Sequence, residues 1–122
     1  MENCIFCKII RGEIPSVKVY EDDDMVIIND IAPQAKKHYL LLPKKHYANI
    51  IEMSEEDAVT LGRCLKKLST LVDKLGLENG FRLVSNKGED AFQTVQHLHV
   101  HILGGEKLGE KMCSFDANIL DN

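Results

Sequence analysis

The sequence predicts an α+β domain, a five-stranded antiparallel sheet with one short and one long helix packed on it. Two observations carry this prediction. Five stretches rich in β-branched, aromatic or alternating apolar residues are bounded by Pro, Gly or acidic turns. Between the third and fourth lies one long stretch with apolar residues at helical spacing, and a shorter helical stretch leads the chain. The resulting order, β-β-β-α-β-β behind a leading helix, is that of an antiparallel sheet with helices on it.

The leading segment, Cys4 to Gly12, reads C-I-F-C-K-I-I-R-G; Ile5, Phe6, Ile9 and Ile10 share one helical face and Gly12 supplies the stop. After Pro15, Val17 to Tyr20 and Met25 to Ile31 read as two strands of a hairpin, with Glu21 to Asp24 as its solvated acidic turn. Pro33 breaks the second strand, His38 to Leu42 is a buried third, and Pro43 ends it. A short helical turn covers Ala48 to Ile51. Ser54 followed by Glu55, Glu56 and Asp57 is a helix N-terminus with acids in its first turn. Leu61, Leu65, Leu68, Val72 and Leu75 then extend the long helix to Gly76, with Cys64 on or near its buried stripe. Phe81 to Ser85 is the fourth strand and Asn86-Lys87-Gly88 a loop. The fifth strand is the most unusual stretch, His97 to Gly105, H-L-H-V-H-I-L-G-G.

A chain of 122 residues with 44% hydrophobic and 28% charged content fits one soluble domain that buries a core without disulfides. We expect a single domain over 1–105 and a polar, aperiodic tail over 106–122. Neither a long apolar run nor a signal-peptide pattern appears, so the cytoplasm is the expected compartment. A net charge of −4 and a pI near 5.7 argue against charge-driven nucleic-acid binding. A small phosphorylated ligand stays compatible with that charge.

The chemistry concentrates in the fifth strand. Side chains in a strand alternate faces, so His97, His99 and His101 line one face while Leu98, Val100 and Ile102 line the other. A row of imidazoles is a costly core filler and a natural carrier of chemistry near neutral pH. It can bind a metal that activates water, or supply a nucleophile flanked by charge-handling neighbours. No Asp or Glu interrupts the strand, and Glu89, Asp90 and Glu106 lie outside it, which favours the nucleophile. Asn86, Gln93 and Thr94 lie on the loop feeding the strand and are neutral groups suited to phosphate oxygens. The cysteines are Cys4, Cys7, Cys64 and Cys113. Cys4 and Cys7 give half of a tetrahedral zinc site, with His38, His46 and the histidine strand as candidate partners. A redox pair or plain thiols are the other readings.

H-L-H-V-H-I-L-G-G resembles the signature of the histidine triad family, three histidines alternating with apolar residues. I-F-C-K-I-I-R-G-E-I-P, N-D-I-A-P-Q-A-K-K-H, L-L-P-K-K-H and S-N-K-G-E-D with Q-T-V resemble segments of its nucleotide-binding branch, in the same order from Cys4 to Gly105. The resemblance implies a histidine-triad-like fold whose five-stranded sheet continues across a homodimer. It also implies a purine nucleotide substrate, an AMP or GMP conjugate such as a nucleoside phosphoramidate, cleaved through a nucleotidyl-histidine intermediate. His99 corresponds to the nucleophile and His101 to the group that contacts the phosphoryl oxygens. Asn86, Gln93 and Thr94 correspond to groups around the α-phosphate, and Asp30 to the carboxylate on the ribose hydroxyls. Ile5, Phe6, Ile9, Ile31 and Leu40 correspond to the apolar slot around the base. A branch of the family holds a structural zinc, and its ligands correspond to Cys4, Cys7, His46 and His97. His38 corresponds to a further family histidine, with a supporting role.

Two departures stand out. Phe92 occupies a phosphate-loop position where the family usually has glycine, and the tail has no tryptophan. Phe92 gives weight to a second expectation, a nucleotide-binding or scaffold protein of the same fold with little turnover.

Overall fold

The structure, a computed structural model, describes residues 3–110. Its elements are α1 (Ile5–Ile10), β1 (Lys18–Glu21), β2 (Met25–Asn29), β3 (Lys37–Pro43), α2 (Glu55–Leu68), β4 (Phe81–Val84), a 3-10 turn (Glu89–Ala91) and β5 (Val100–Gly104). The five strands form one antiparallel sheet in the order β1-β2-β3-β5-β4. This is the predicted α+β architecture. The histidine strand lies between β3 and β4, so its ladder groups are paired on both sides.

Register divides the sheet into two faces. Leu41 pairs with Val100 and Tyr39 with Ile102, and these side chains join Met25, Ile27, Leu98, Cys64 and Leu68 in the larger core, the one α2 covers. Leu40 pairs with His101 and Ile28 with Leu40, which puts them on the opposite face. There Phe6 and Ile9 of α1 pack with Val26, Ile28, Leu40 and Leu42 in a smaller cluster. The segment from His97 to Ile102 therefore gives Leu98, Val100 and Ile102 to the core, while Phe6 of α1 packs on His97 and His99 and His101 lies on the face of Leu40.

Two expected elements are shorter than their patterns. The long helix begins as predicted, with a reciprocal capping box between Ser54 and Asp57, but it ends at Leu68 rather than running to Gly76. The Ser69 and Thr70 hydroxyls donate to the Lys66 and Lys67 carbonyls, and such local bonds compete with helix propagation. Leu75 and Leu77 still reach the core through a turn that Gly76 closes at φ +74°. The histidine strand enters the ladder only at Val100; His97 lies in a bend, and Leu98 and His99 are irregular. The Leu98 N–H donates instead to the Tyr47 carbonyl at 2.7 Å.

The Gly104-Gly105 pair is a packing requirement. A Cβ on Gly104 would stand 2.8 Å from Leu77 Cδ2, and one on Gly105, at φ +79°, 2.6 Å from Lys37 Cγ. Glu106 then accepts the Lys36 N–H at 2.7 Å, fastening the start of the expected tail to β3. Residues 111–122 of the tail, with Cys113, lie outside the described residues.

Ile102 is fully buried directly beside His101 in sequence and on the opposite face. Truncating Ile102→Ala should cost about 3–4 kcal/mol in urea unfolding. A loss below about 1 kcal/mol would show that this face is not the packed core.

Candidate active site

His97, His99 and His101 are all buried and form one connected row with His38 of β3. The rings of His99 and His101 lie 5.2 Å apart, and those of His38 and His101 5.1 Å. Phe6 of α1 meets His99 edge-on at 4.9 Å and His97 at 6.0 Å. Burial pushes His38, His99 and His101 below the ordinary histidine range, His101 to about 4, and neighbouring imidazoles push His101 further the same way. The row is neutral at pH 7.

Fixed main-chain partners decide where each neutral ring carries its proton. A carbonyl only accepts, so His99 Nδ1, 2.8 Å from the His97 carbonyl, must donate to it. That leaves a lone pair on His99 Nε2. The Gln34 N–H donates to His38 Nδ1 at 3.0 Å, so His38 carries its proton on Nε2. His38 Nε2 stands 2.9 Å from His101 Nδ1 and 3.3 Å from Asp30 Oδ2. His101 Nδ1 must then accept, and the His101 proton sits on Nε2. Adjacent rings thus present opposite functions: a lone pair on His99 and an N–H on His101. Ser85 Oγ donates to the His99 carbonyl at 3.1 Å and braces that residue from the β4 side.

Comparisons with known proteins identify the family of the chain. A family model described as the C-terminal binding region of the scavenger mRNA decapping enzyme matches residues 3–113. An uncharacterised HIT-like protein of Synechococcus elongatus is 46% identical over 107 residues, 88% of this chain and 94% of that protein. The chain belongs to the histidine triad family. Among solved structures, a histidine triad family hydrolase from Clostridium thermocellum is similar at TM-score 0.87 and 46% identity, covering 93% of this chain and 99% of that one. A zinc-bound family member from Mycobacterium smegmatis is similar at TM-score 0.76 and 31% identity, covering 93% of this chain and 81% of that one.

Beside the triad, four more atoms converge. Cys4 Sγ and Cys7 Sγ each lie 3.5 Å from His97 Nδ1, Cys7 Sγ lies 3.3 Å from His46 Nδ1, and the two Nδ1 atoms are 3.1 Å apart. These separations approach the edges of a tetrahedron of zinc ligands, roughly 3.3–3.8 Å for bond lengths of about 2.0–2.3 Å. His97 Nε2 donates to the Pro43 carbonyl at 2.8 Å, which turns its Nδ1 lone pair toward the cysteines. The donor set fits a closed, structural zinc site, and the Pro43 carbonyl orients the His97 ring toward it.

Other expected residues fall into place unequally. Phe6, Ile9 and Leu40 share the smaller apolar cluster, whereas Ile5 and Ile31 are exposed, Ile31 almost completely. The Asn86 amide and the Thr94 hydroxyl and N–H make no hydrogen bond among the described residues. Gln93 is different: its Oε1 accepts the Gly88 N–H, and its Nε2 donates to the Ala48 and Val95 carbonyls. Its amide is spent on bracing the loop. Asp30 is the carboxylate that the strand itself lacks, reaching His38 and, at 4.0 Å, His101. Residue-level reading missed Ile28 and Ser85, and undervalued His38; only three-dimensional register brings them to the row.

The depressed His38 and His101 values set a stability window. A buried neutral ring contributes fully above its unfolded value of 6.5; for His101 that contribution is lost as pH falls from 6.5 toward about 4, and the lowered His38 acts in the same direction. The urea midpoint should therefore fall across this range, and fall less steeply in a His38→Gln/His101→Gln variant. Equal slopes would contradict neutral burial.

Proposed function

We propose that this chain is a purine nucleotide-binding hydrolase that cleaves nucleoside phosphoramidates or related adenylates through a covalent nucleotidyl-His99 intermediate. One observation carries the reading: the paired tautomers, with a lone pair on His99 Nε2 beside an N–H on His101 Nε2. The family membership and the hydrolase relative support it.

In the first step His99 Nε2 attacks the α-phosphorus as the bond to the leaving amine breaks. The His101 Nε2–H hydrogen-bonds the phosphoryl oxygens and stabilises them as charge develops, and the departing nitrogen takes its proton from solvent water. His38 Nε2–H stays bonded to His101 Nδ1 and so keeps the His101 proton on Nε2, while the Asp30 carboxylate beside His38 Nε2 holds that ring in place. Water then attacks the same phosphorus, the P–N bond to His99 breaks, and a nucleoside monophosphate leaves. Asn86 and Thr94, with unspent donors, hold the phosphate oxygens; Gln93 keeps their loop in shape. Asp30 Oδ1 also accepts the Ala32 N–H, so this carboxylate is fixed in place to receive a ribose diol. Phe6, Ile9 and Leu40 supply the inner wall of the base slot, and Ile5 and Ile31 its exposed lip.

Cys4, Cys7, His46 and His97 would hold zinc, which would cross-link α1 to the start of the triad. With four protein ligands it would keep no open position, so its contribution would be to stability and not to the reaction. A homodimer belongs to the same reading. Among the described residues β4 is an edge strand of the sheet, and its Phe81 and Leu83 are about 40% exposed, features suited to continuation of the sheet by a second copy.

The test is turnover of adenosine 5′-phosphoramidate by the wild type and His99→Ala, with bound zinc and AMP affinity measured in both. We expect roughly a 10³-fold or greater loss in the variant, with zinc content unchanged. Full turnover in a folded His99→Ala protein would overturn the mechanism. A wild type that binds AMP without turning over any phosphoramidate would instead be a nucleotide-binding protein, the reading Phe92 favours.

Zinc removal makes a separate forecast. Chelation, or Cys4→Ser with Cys7→Ser, should lower the thermal midpoint markedly because metal affinity is folding free energy. If chelation abolished turnover and left stability untouched, the metal would be catalytic.

A further inference from the structure

Among the described residues, Phe92 is the one non-glycine with positive φ, at φ 58° and ψ 42°. The cause is local. The Gln93 N–H donates to the Gly88 carbonyl and the Phe92 N–H to the Glu89 carbonyl, the paired bonds of a Schellman closure on the 3-10 turn. Its left-handed position is one where glycine is unstrained and a side chain with a Cβ is not. A phenylalanine there is normally compensated by burying its ring, yet Phe92 is 47% exposed. The loop thus tolerates a strained backbone to hold an aromatic ring in the open, and strain of this kind concentrates at sites that bind ligands.

The loop's place gives the ring its use. It leaves β4 beside His99, where Ser85 Oγ meets the His99 carbonyl, and it returns at His97. Asp30 stands at the other end of the row, against His38 and His101. A nucleotide with its ribose on Asp30 and its α-phosphate between His101 and His99 runs its remaining substituent toward this loop. Thr94, with its free donors, is only two residues from Phe92, at most about 7 Å along the chain.

We propose that Phe92 is the leaving-group specificity residue, an exposed aromatic platform that selects substrates with a planar, aromatic substituent on the α-phosphorus. This rests on the nucleotide reading above. The ring gains stacking contact with such a substituent and gains little from ammonia or a methyl group. Phe92 takes no part in bond making; the chemistry stays with His99 and His101.

The test uses AMP, adenosine 5′-methylphosphonate and adenosine 5′-benzylphosphonate, whose P–C bonds the enzyme does not cleave. Equilibrium binding is measured on wild type, Phe92→Gly and Phe92→Tyr. Wild type should prefer the benzyl to the methyl compound. Phe92→Gly should lose about three- to tenfold of that preference, with AMP and methyl affinities within about twofold of wild type. Phe92→Tyr should keep the preference. The thermal midpoint of Phe92→Gly should equal or exceed that of wild type, because its backbone position favours glycine. An unchanged benzyl preference in Phe92→Gly would overturn the proposal. So would an equal loss of all three ligands, which would make the ring a brace for the loop. If wild type binds AMP but does not distinguish the two phosphonates, the specificity role fails while the nucleotide reading stands. If wild type binds none of the three, the nucleotide reading fails and this role falls with it.

Discussion

Two main-chain hydrogen bonds hold the chemistry of this site in place. The His97 carbonyl takes the Nδ1 proton of His99, and the Gln34 N–H takes the Nδ1 lone pair of His38. Each is fixed by backbone that cannot titrate, so each imidazole is held in one tautomer. The consequence passes down the row: His38 donates, His101 Nδ1 accepts, and His101 turns its N–H outward. Burial keeps all three rings neutral, which preserves the asymmetry between a lone pair on one ring and a proton on its neighbour.

The sheet makes this arrangement stable. Because β5 lies between β3 and β4, its backbone groups are satisfied on both sides, and its alternate residues anchor it in the core under α2. The histidines are then costly only on the face where α1 covers them. Phe6 packs against two of them while belonging to the smaller apolar cluster, so the same short helix completes the core, contacts His99 and carries both cysteines. A six-residue helix has little stability of its own. Its position depends on tertiary packing and on the cysteine–histidine cluster, which ties it to the residue whose carbonyl orients His99.

Much of this was legible in the sequence, for physical reasons that also mark where legibility ends. The alternation from His97 to Ile102 exposed both faces, because a period of two is local. The Ser54 cap was local too, and marked the start of α2 correctly. Its end was not legible from leucine spacing, since Leu75 and Leu77 reach the same core from a turn once Ser69 and Thr70 bond backwards. Residue types alone supplied only Cys4 and Cys7 of the cysteine–histidine cluster, because which histidines join them depends on packing between segments far apart in sequence; the family resemblance named His46 and His97, and the structure brings these four together. His38 was undervalued because its partner Gln34 is a backbone group, and nothing in a residue type announces a main-chain donor. Gln93 reads as a phosphate ligand by residue type, yet its amide is consumed within its own loop.

The opposed tautomers of His99 and His101 are the most direct point of contact with experiment. Long-range proton–nitrogen correlation spectra of the ¹⁵N-histidine-labelled protein at neutral pH report the tautomer of each ring. His99 should carry its proton on Nδ1 with an unprotonated Nε2, and His101 the reverse, each assigned by loss of its signals in a single-histidine variant. Finding His99 protonated on Nε2, or both rings as imidazolium, would remove the nucleophilic lone pair and contradict the site as described.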